Sequence, residues 1–335
     1  MRFDYCIGNP PYQSETESES TRMPPVYHIF MDQAYQVADA VELITPARFL
    51  FNAGYTPKNW NEKMLSDPHF KVQTYEPDSS VVFSNTDIKG GVAISYRDKR
   101  KNFGPIGTFT KYPELNSILR KVQVKEFKSL ETIIASPLSY KLSEKMIKEN
   151  PNTVGRLRSS AFSALSDFFF DEKPTDEHRY IALIGLQDSR RVRKYVRRDY
   201  ITDISGTLDV YTLLLAKANG AGFFGEVLSP PEIAEPGVGF TQTFIGIGAF
   251  NTKKQAEDLG KYIKTKFARA MLGVLKITQD CPGPKWKYVP LQDFTTASDI
   301  DWTKPIPEID RQLYSKYDLD QSEIDFIESH VKEME

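Results

Sequence analysis

A chain of 335 residues with 40% hydrophobic and 12% aromatic content has material for two ordinary domains with buried cores, which excludes disorder as its default state. Its charges nearly cancel at net −2, so only a local concentration of Lys and Arg can draw it to nucleic acid. Cys6 and Cys281 lie far apart and outside any metal-ligand spacing, and no apolar run suffices for a signal peptide or a membrane span; the expectation is a cytoplasmic protein with no metal site and no membrane contact.

From Phe3 to about Lys99, strand and helix signals alternate. FDYCIG reads as a short strand, QSETESESTRMPP as a loop, and VYHIFMDQAYQVAD as a helix from its apolar spacing. AVELITPARFLF begins as a buried strand, with Ala47 to Phe51 opening the next helix. FKVQTYE is a further strand, and VVFSNTDIKGGVAISYRDK ends in one from Val92 to Tyr96. Strands separated by helical segments predict a parallel α/β sheet.

Residues 101 to 125 read as an edge hairpin and a helix leading out of that sheet. Composition then shifts, which predicts domains at 1–124 and 125–335. The second opens with a helical stretch, ASPLSYKLSEKMIKEN, and continues through short strands such as HRYIALIGL and GFTQTFIGIG. It returns to helix in TKKQAEDLGKYIKTKFARAMLGVL and closes with SEIDFIESHVKEME as an amphipathic helix. No repeat of solenoid or propeller period is visible.

The chemistry concentrates at Asn9, Pro10, Pro11 and Tyr12, directly after the first strand. Two prolines fix φ and remove two backbone donors, so the turn is stiff and its carbonyls are free to accept hydrogen bonds. The Asn9 side-chain oxygen and the Pro10 carbonyl can both accept from an exocyclic amine, and Tyr12 offers a flat ring on which an extruded base can stack. That arrangement suits methyl transfer to the N6 amine of adenine, because acceptors on both amine hydrogens favour its pyramidal, nucleophilic form without a metal or a tuned base. The bland reading is a Pro-rich turn between strand and loop.

NPPY after FDYCIG, followed in order by VYHIFMDQAYQVAD, ELITPARFL and VVFSNTDIKGGVAISY, resembles the gamma-class N6-adenine DNA methyltransferases, and more narrowly the type IIG restriction–modification enzymes. FTQTFIGIGAFNTKKQAEDLGKYIKTKFARAML, WKYVPLQDF and IDRQLYSKYDL resemble the target-recognition domain of the same enzymes. The resemblance implies the C-terminal half of a Rossmann-like methyltransferase sheet followed by an α+β target-recognition domain. It also implies a catalytic turn at Asn9, Pro10, Pro11 and Tyr12, S-adenosylmethionine as methyl donor and double-stranded DNA as partner.

The family's N-terminal cofactor motifs include a glycine-rich turn and an acidic strand end, and they have no counterpart ahead of Asn9. The S-adenosylmethionine-binding residues are therefore unassigned and the cofactor site is expected to be incomplete. TFIGIGAF, residues 243 to 250, has a GxG spacing, but Asn251 and Thr252 after it read as a helix N-cap. The first strand would then be an exposed sheet edge carrying Tyr5, Cys6 and Ile7. Three readings follow: a second polypeptide carries the cofactor half, the gene is a truncated remnant, or the chain is a DNA-binding specificity module without methyl transfer.

Arg190, Arg191, Arg193, Lys194, Arg197 and Arg198 place six positive charges in nine residues, interleaved with Val192, Tyr195 and Val196. On a strand after the Asp188-Ser189 turn they form a basic ribbon, and on a helix a basic face; either suits phosphate contacts. The competing reading is a solvated charged face. Lys264, Lys266 and Arg269 form a second such group, where an ordinary helix surface serves as well. The four histidines are scattered, Asp87 with Gly90 and Gly91 resembles a family turn, and the carboxylates of DEKPTDE, residues 171 to 177, do not make a nuclease pattern, so any nuclease belongs to a partner.

Overall fold

FDYCIG forms β1 (Phe3–Gly8), and VYHIFMDQAYQVAD folds as α1 (Tyr27–Val37), burying Tyr27 and Met31 one helical turn apart. β2 (Ala38–Pro46) follows immediately, then α2 (Lys58–Ser66), β3 (Phe70–Glu76), β4 (Val92–Asp98) and α3 (Pro113–Val124). The computed structural model describes residues 3–14, 24–52, 55–84, 88, 90–124, 127–155, 157–158 and 160–334. It divides into two compact units, Met1–Asn116 and Ser117–Glu335, with the division inside α3.

In the first unit the sheet order is β1-β2-β4-β3. β1 runs parallel to β2, but β4 is antiparallel to both β2 and β3, so the sheet is mixed rather than parallel. The reason lies between β3 and β4: a parallel return needs a long crossover, usually a helix, and the described residues there form only a short 3-10 turn at Ser79–Val81 and the Gly90-Gly91 corner. Tyr27, Met31, Val41, Leu43, Phe49, Trp60, Met64 and Phe70 make the core.

Two expected elements differ. Ala47–Phe51 is a single 3-10 turn, stopped by Asn52 in the left-handed region at φ 54°. Residues 101 to 112 form no hairpin: Phe103 N–H donates to Pro68 O and Gly107 N–H to Leu65 O, so the segment is pinned to its neighbours instead of pairing with itself.

The second unit holds β5 (Ile134–Ala135), β6 (Tyr140–Leu142), α4 (Glu144–Glu149), α5 (Ala161–Ala164), β7 (Tyr180–Gln187), β8 (Arg190–Arg197) and β9 (Ile201–Asp203). It continues with β10 (Tyr211–Ala216), β11 (Glu232–Ala234), β12 (Val238–Phe240), β13 (Phe244–Phe250), α6 (Lys253–Lys264), α7 (Lys266–Gly273), α8 (Ile306–Lys316) and α9 (Gln321–His330). Its sheets have the orders β11-β10-β13-β5, β12-β7-β8 and β6-β9.

The stretch expected as one helix at ASPLSYKLSEKMIKEN is mostly not helical. Only Glu144–Glu149 is, because Ser143 caps it by accepting from Met146 N–H. The long helix expected over 252–275 is two, broken where the Thr265 side chain caps α7 by accepting from Ala268 N–H. α9 begins with a capping box between Asp320 and Glu323. The whole is a mixed α/β architecture of several small sheets.

Candidate catalytic turn and basic surfaces

β1 delivers Asn9 at the carboxyl end of the parallel pair, where Gly8 lies opposite Leu43. In open α/β sheets that end of the strands is where ligands bind. Asn9 is exposed, Pro10 half-buried and Pro11 exposed. The turn is clamped by backbone: Val26 N–H donates to Tyr12 O at 3.1 Å and Ser14 N–H to Pro24 O at 3.2 Å, tying it to the start of α1.

Tyr12 is half-buried, with its ring against the first core and its hydroxyl only loosely donating to Ile44 O at 3.5 Å. Burial pushes the phenol up to about 12, so it stays neutral through the physiological range. Phe83 stands edge-on to it, with ring centroids 6.4 Å apart and planes at 68°. Phe83 is fixed by its N–H donating to Ser79 O at 2.8 Å, above a turn capped by Asp78. The sequence signal for this second aromatic was a lone ring in a polar, turn-forming run, and reasoning from NPPY outward passed over it.

Gly90 and Gly91 have φ of 89° and 75°. A side chain at Gly91 would run into the Glu76–Pro77 backbone, and one at Gly90 into the Arg48 stem, so close packing explains both glycines. Asp87 lies outside the described residues.

β1 pairs with β2 alone among the described residues. Its other side is an open sheet edge. Cys6 turns toward the core, while Phe3, Tyr5 and Ile7 are 53%, 48% and 73% exposed. Tyr5 donates to Glu42 at 2.8 Å and lies beside the Tyr96 ring, with centroids 6.3 Å apart.

The basic run is a strand. β7 and β8 form a two-residue hairpin with Asp188 and Ser189 at φ 50° and 61°, the positive-φ pair that matches strand twist. Five of its six cations have carboxylate partners. Arg191 and Arg193 reach Glu232 at 3.2 and 3.4 Å, Lys194 reaches Asp171 at 2.5 Å, Arg197 reaches Asp199 at 2.7 Å, and Arg198 lies 4.0 Å from Asp209. Arg197 also lies over the Tyr200 ring and holds the Asp199 carboxyl well below the usual range. Arg190 is exposed at the hairpin end.

The second basic group does not stay together at the surface. Lys264 and Lys266 are half-buried, and Lys266 pairs with Glu328 at 2.5 Å. Arg269, expected beside them as a DNA contact, is 3% exposed. Its guanidinium donates to the carbonyls of Lys264, Gly225, Glu226 and Lys332, so it ties α7 to two distant segments and is closed to DNA. Burial lowers it to about 10. Beside it, buried Asp310 accepts from Lys266 N–H and Phe267 N–H at 3.0 and 2.9 Å, and burial pushes its carboxyl up to about 6.

The GxG of TFIGIGAF lies in β13, antiparallel to both β10 and β5. Gly246 makes room for Phe240 and Gly248 for Phe250, and Thr252 caps α6 by accepting from Gln255 N–H. These glycines serve packing. The acids of residues 171 to 177 lie outside the strands, with Asp171 paired to Lys194 and Asp176 accepting from Tyr180. Among the described residues, no three His, Cys, Asp or Glu gather as metal ligands, and no helix is long and apolar enough to cross a membrane.

No curated protein matches the chain. Among solved structures it is similar to the type IIG restriction endonuclease BpuSI, at 9% identity and a TM-score of 0.30, over 86% of this chain. The chain spans 44% of that enzyme's length. Over residues 1–83, which include β1, the Asn9–Tyr12 turn and Phe83, the chain matches the family of Eco57I restriction-modification methylases.

Proposed function

We propose that the chain is the catalytic-turn and DNA-recognition part of a restriction–modification DNA methyltransferase acting on the N6 amine of an adenine extruded from duplex DNA. The observation that carries the reading is the Asn9–Tyr12 turn at the carboxyl end of β1, inside the stretch that matches the methylase family. The Asn9 side-chain oxygen and the Pro10 carbonyl accept the two amine hydrogens, and rigidity from Pro10 and Pro11 keeps them aimed. The Tyr12 ring stacks on the base, and Phe83 borders the same place from the opposite loop. Because the Tyr12 phenol stays neutral, its part is the ring and not a proton.

S-adenosylmethionine is the proposed donor. The described residues beside β1 do not fit its site: no glycine-rich turn adjoins the strand, and the GxG at Gly246–Gly248 is packed inside an antiparallel sheet. The open edge of β1 favours completion of the sheet by a further strand that carries the donor's half, from outside residues 1–335. The basic hairpin serves as a phosphate-contacting surface for double-stranded DNA. The same open edge also suits a second reading, a DNA-binding specificity module whose turn is vestigial.

The test is methyl transfer from labelled S-adenosylmethionine to duplex DNA in the completed assembly. Asn9→Ala is expected to cost about 100-fold or more, as for loss of an oriented polar contact to the reacting group. Tyr12→Ala is expected to cost about 10- to 100-fold as base stacking disappears, while Tyr12→Phe stays within a few-fold. Duplex binding survives in all three. Wild-type methylation by Asn9→Ala, or equal loss of DNA binding in the Ala variants, removes the assigned roles.

A further inference from the structure

Between β10 and β11 the chain makes a compact surface loop whose ends are stitched by Asn219: its side chain accepts from Ser229 N–H at 2.5 Å and donates to Ala216 O at 2.7 Å. Inside the loop, the Glu226 carboxylate accepts Ala221 N–H at 2.7 Å and Gly222 N–H at 3.0 Å and pairs with the buried Lys276 ammonium. Gly222 sits against the Ile277–Thr278 backbone and Gly225 against His330–Val331, both at positive φ, and neither leaves room for a side chain. Gly225 O accepts from Lys332 N–H at 3.0 Å.

Within this braced frame two adjacent rings go opposite ways. Phe224 turns inward, over Gly273 and against Phe326 with centroids 5.6 Å apart. Phe223 turns outward and is 76% exposed, with Ile277 exposed on the adjoining segment. The braced loop holds the ring at the surface, where it is positioned for contact. The large apolar side chains exposed on the loop and the adjoining segment are Phe223, Val227 and Ile277, too small a set for a stable protein interface, which buries roughly 800 Å² on each partner.

We infer that Phe223 is a wedge that enters the base stack of duplex DNA and kinks it. The inference rests on the DNA-acting reading above and adds a residue and a role to it. Apolar side chains inserted at a base step partly unstack it and bend the duplex. A methyltransferase that must extrude an adenine gains from such unstacking, since part of the opening cost is already met. The wedge needs a stiff mount, which the Glu226–Lys276 pair and the Phe224 anchor provide.

The experiment compares full-length wild type, Phe223→Ala and Phe223→Trp on an end-labelled duplex, reading affinity by anisotropy, bending by end-to-end energy transfer, and tryptophan emission. Phe223→Ala is expected to bind about 5- to 100-fold more weakly, as for removal of one base-stacking ring, with an unchanged salt slope and no bend. The Trp variant's emission is expected to quench at saturation; Trp60, Trp286 and Trp302 are buried and give a steady background. If wild type binds and both it and Phe223→Ala bend the duplex alike, or if the Trp emission is unmoved, the wedge is overturned while the DNA-acting reading stands. If wild type binds no duplex DNA, both fall. Altered sedimentation of the DNA-free Phe223→Ala variant, with its DNA binding intact, assigns the ring to contact between copies and also overturns the wedge.

Discussion

Replacing Arg269 by Met separates a structural cation from a DNA contact. Methionine keeps an unbranched apolar stem and removes every donor, leaving four carbonyls, on Lys264, Gly225, Glu226 and Lys332, without the guanidinium. Each carbonyl left unsatisfied costs roughly 1–3 kcal/mol, but some recover water, and the burial that lowers Arg269 to about 10 is itself a penalty that the variant escapes. A net loss of about 3 kcal/mol follows, within the range for removing one side of a buried polar contact. For a unit of this size that lowers the melting temperature by about 6–12 °C. Thermal unfolding reads it, and amide exchange at Lys332, whose N–H is held by Gly225 O, should lose protection first. A melting temperature within about 2 °C of wild type, together with a shallower salt dependence of DNA binding, would falsify the structural role.

Two further outcomes follow from the same region and from the hairpin. Asp310 has a folded-state value of about 6, above its ordinary 3.8, so the folded chain holds more protons than the unfolded chain between those values and stability falls as pH rises through that window. Asp310→Asn should flatten that part of a urea-denaturation pH series, and an unchanged slope would show that the carboxyl is not the titrating group. Neutralising Arg190, Arg191 and Arg193 should lower the log–log salt slope of duplex binding by about 0.9 for each phosphate that no longer meets a cation. Glu232→Gln, which frees Arg191 and Arg193 from their present partner, should tighten binding, and the opposite sign would remove the hairpin from the DNA surface.

What the sequence made legible was local. The cap at Thr252, the strand at Tyr180–Gln187 and the hairpin turn at Asp188-Ser189 depend on residues within a few positions, and they formed where composition put them. The antiparallel placement of β4 was not visible, because strand order is a long-range choice; the described residues between β3 and β4 hold only the short turn at Ser79–Val81 and the glycine corner. The carboxylates that meet Arg191, Arg193 and Lys194 were equally hidden, since Asp171 and Glu232 lie 23 and 39 or more residues from the cations they pair with.

Arg269 is the instructive failure, because its surroundings carried the answer. In KFARAML, apolar residues stand on every side of the arginine, and Phe267, Ala268, Ala270, Met271 and Leu272 are all buried. A helix apolar all round is an interior helix, so its one charged interior position has to face carbonyls or a counter-ion rather than solvent. The same logic run in reverse applies to Phe223: Gly-Phe-Phe-Gly in a polar connection looks like two buried rings, yet the glycines at 222 and 225 press the backbone against its neighbours and leave inward room for only one of them. Charge inside and aromatic surface outside are the two inversions of the ordinary pattern in this unit. The first is closed by four carbonyls of the chain itself, whereas the second has no partner ring among the described residues, which is why the tests of recognition belong at Phe223 and the hairpin and the tests of folding at Arg269.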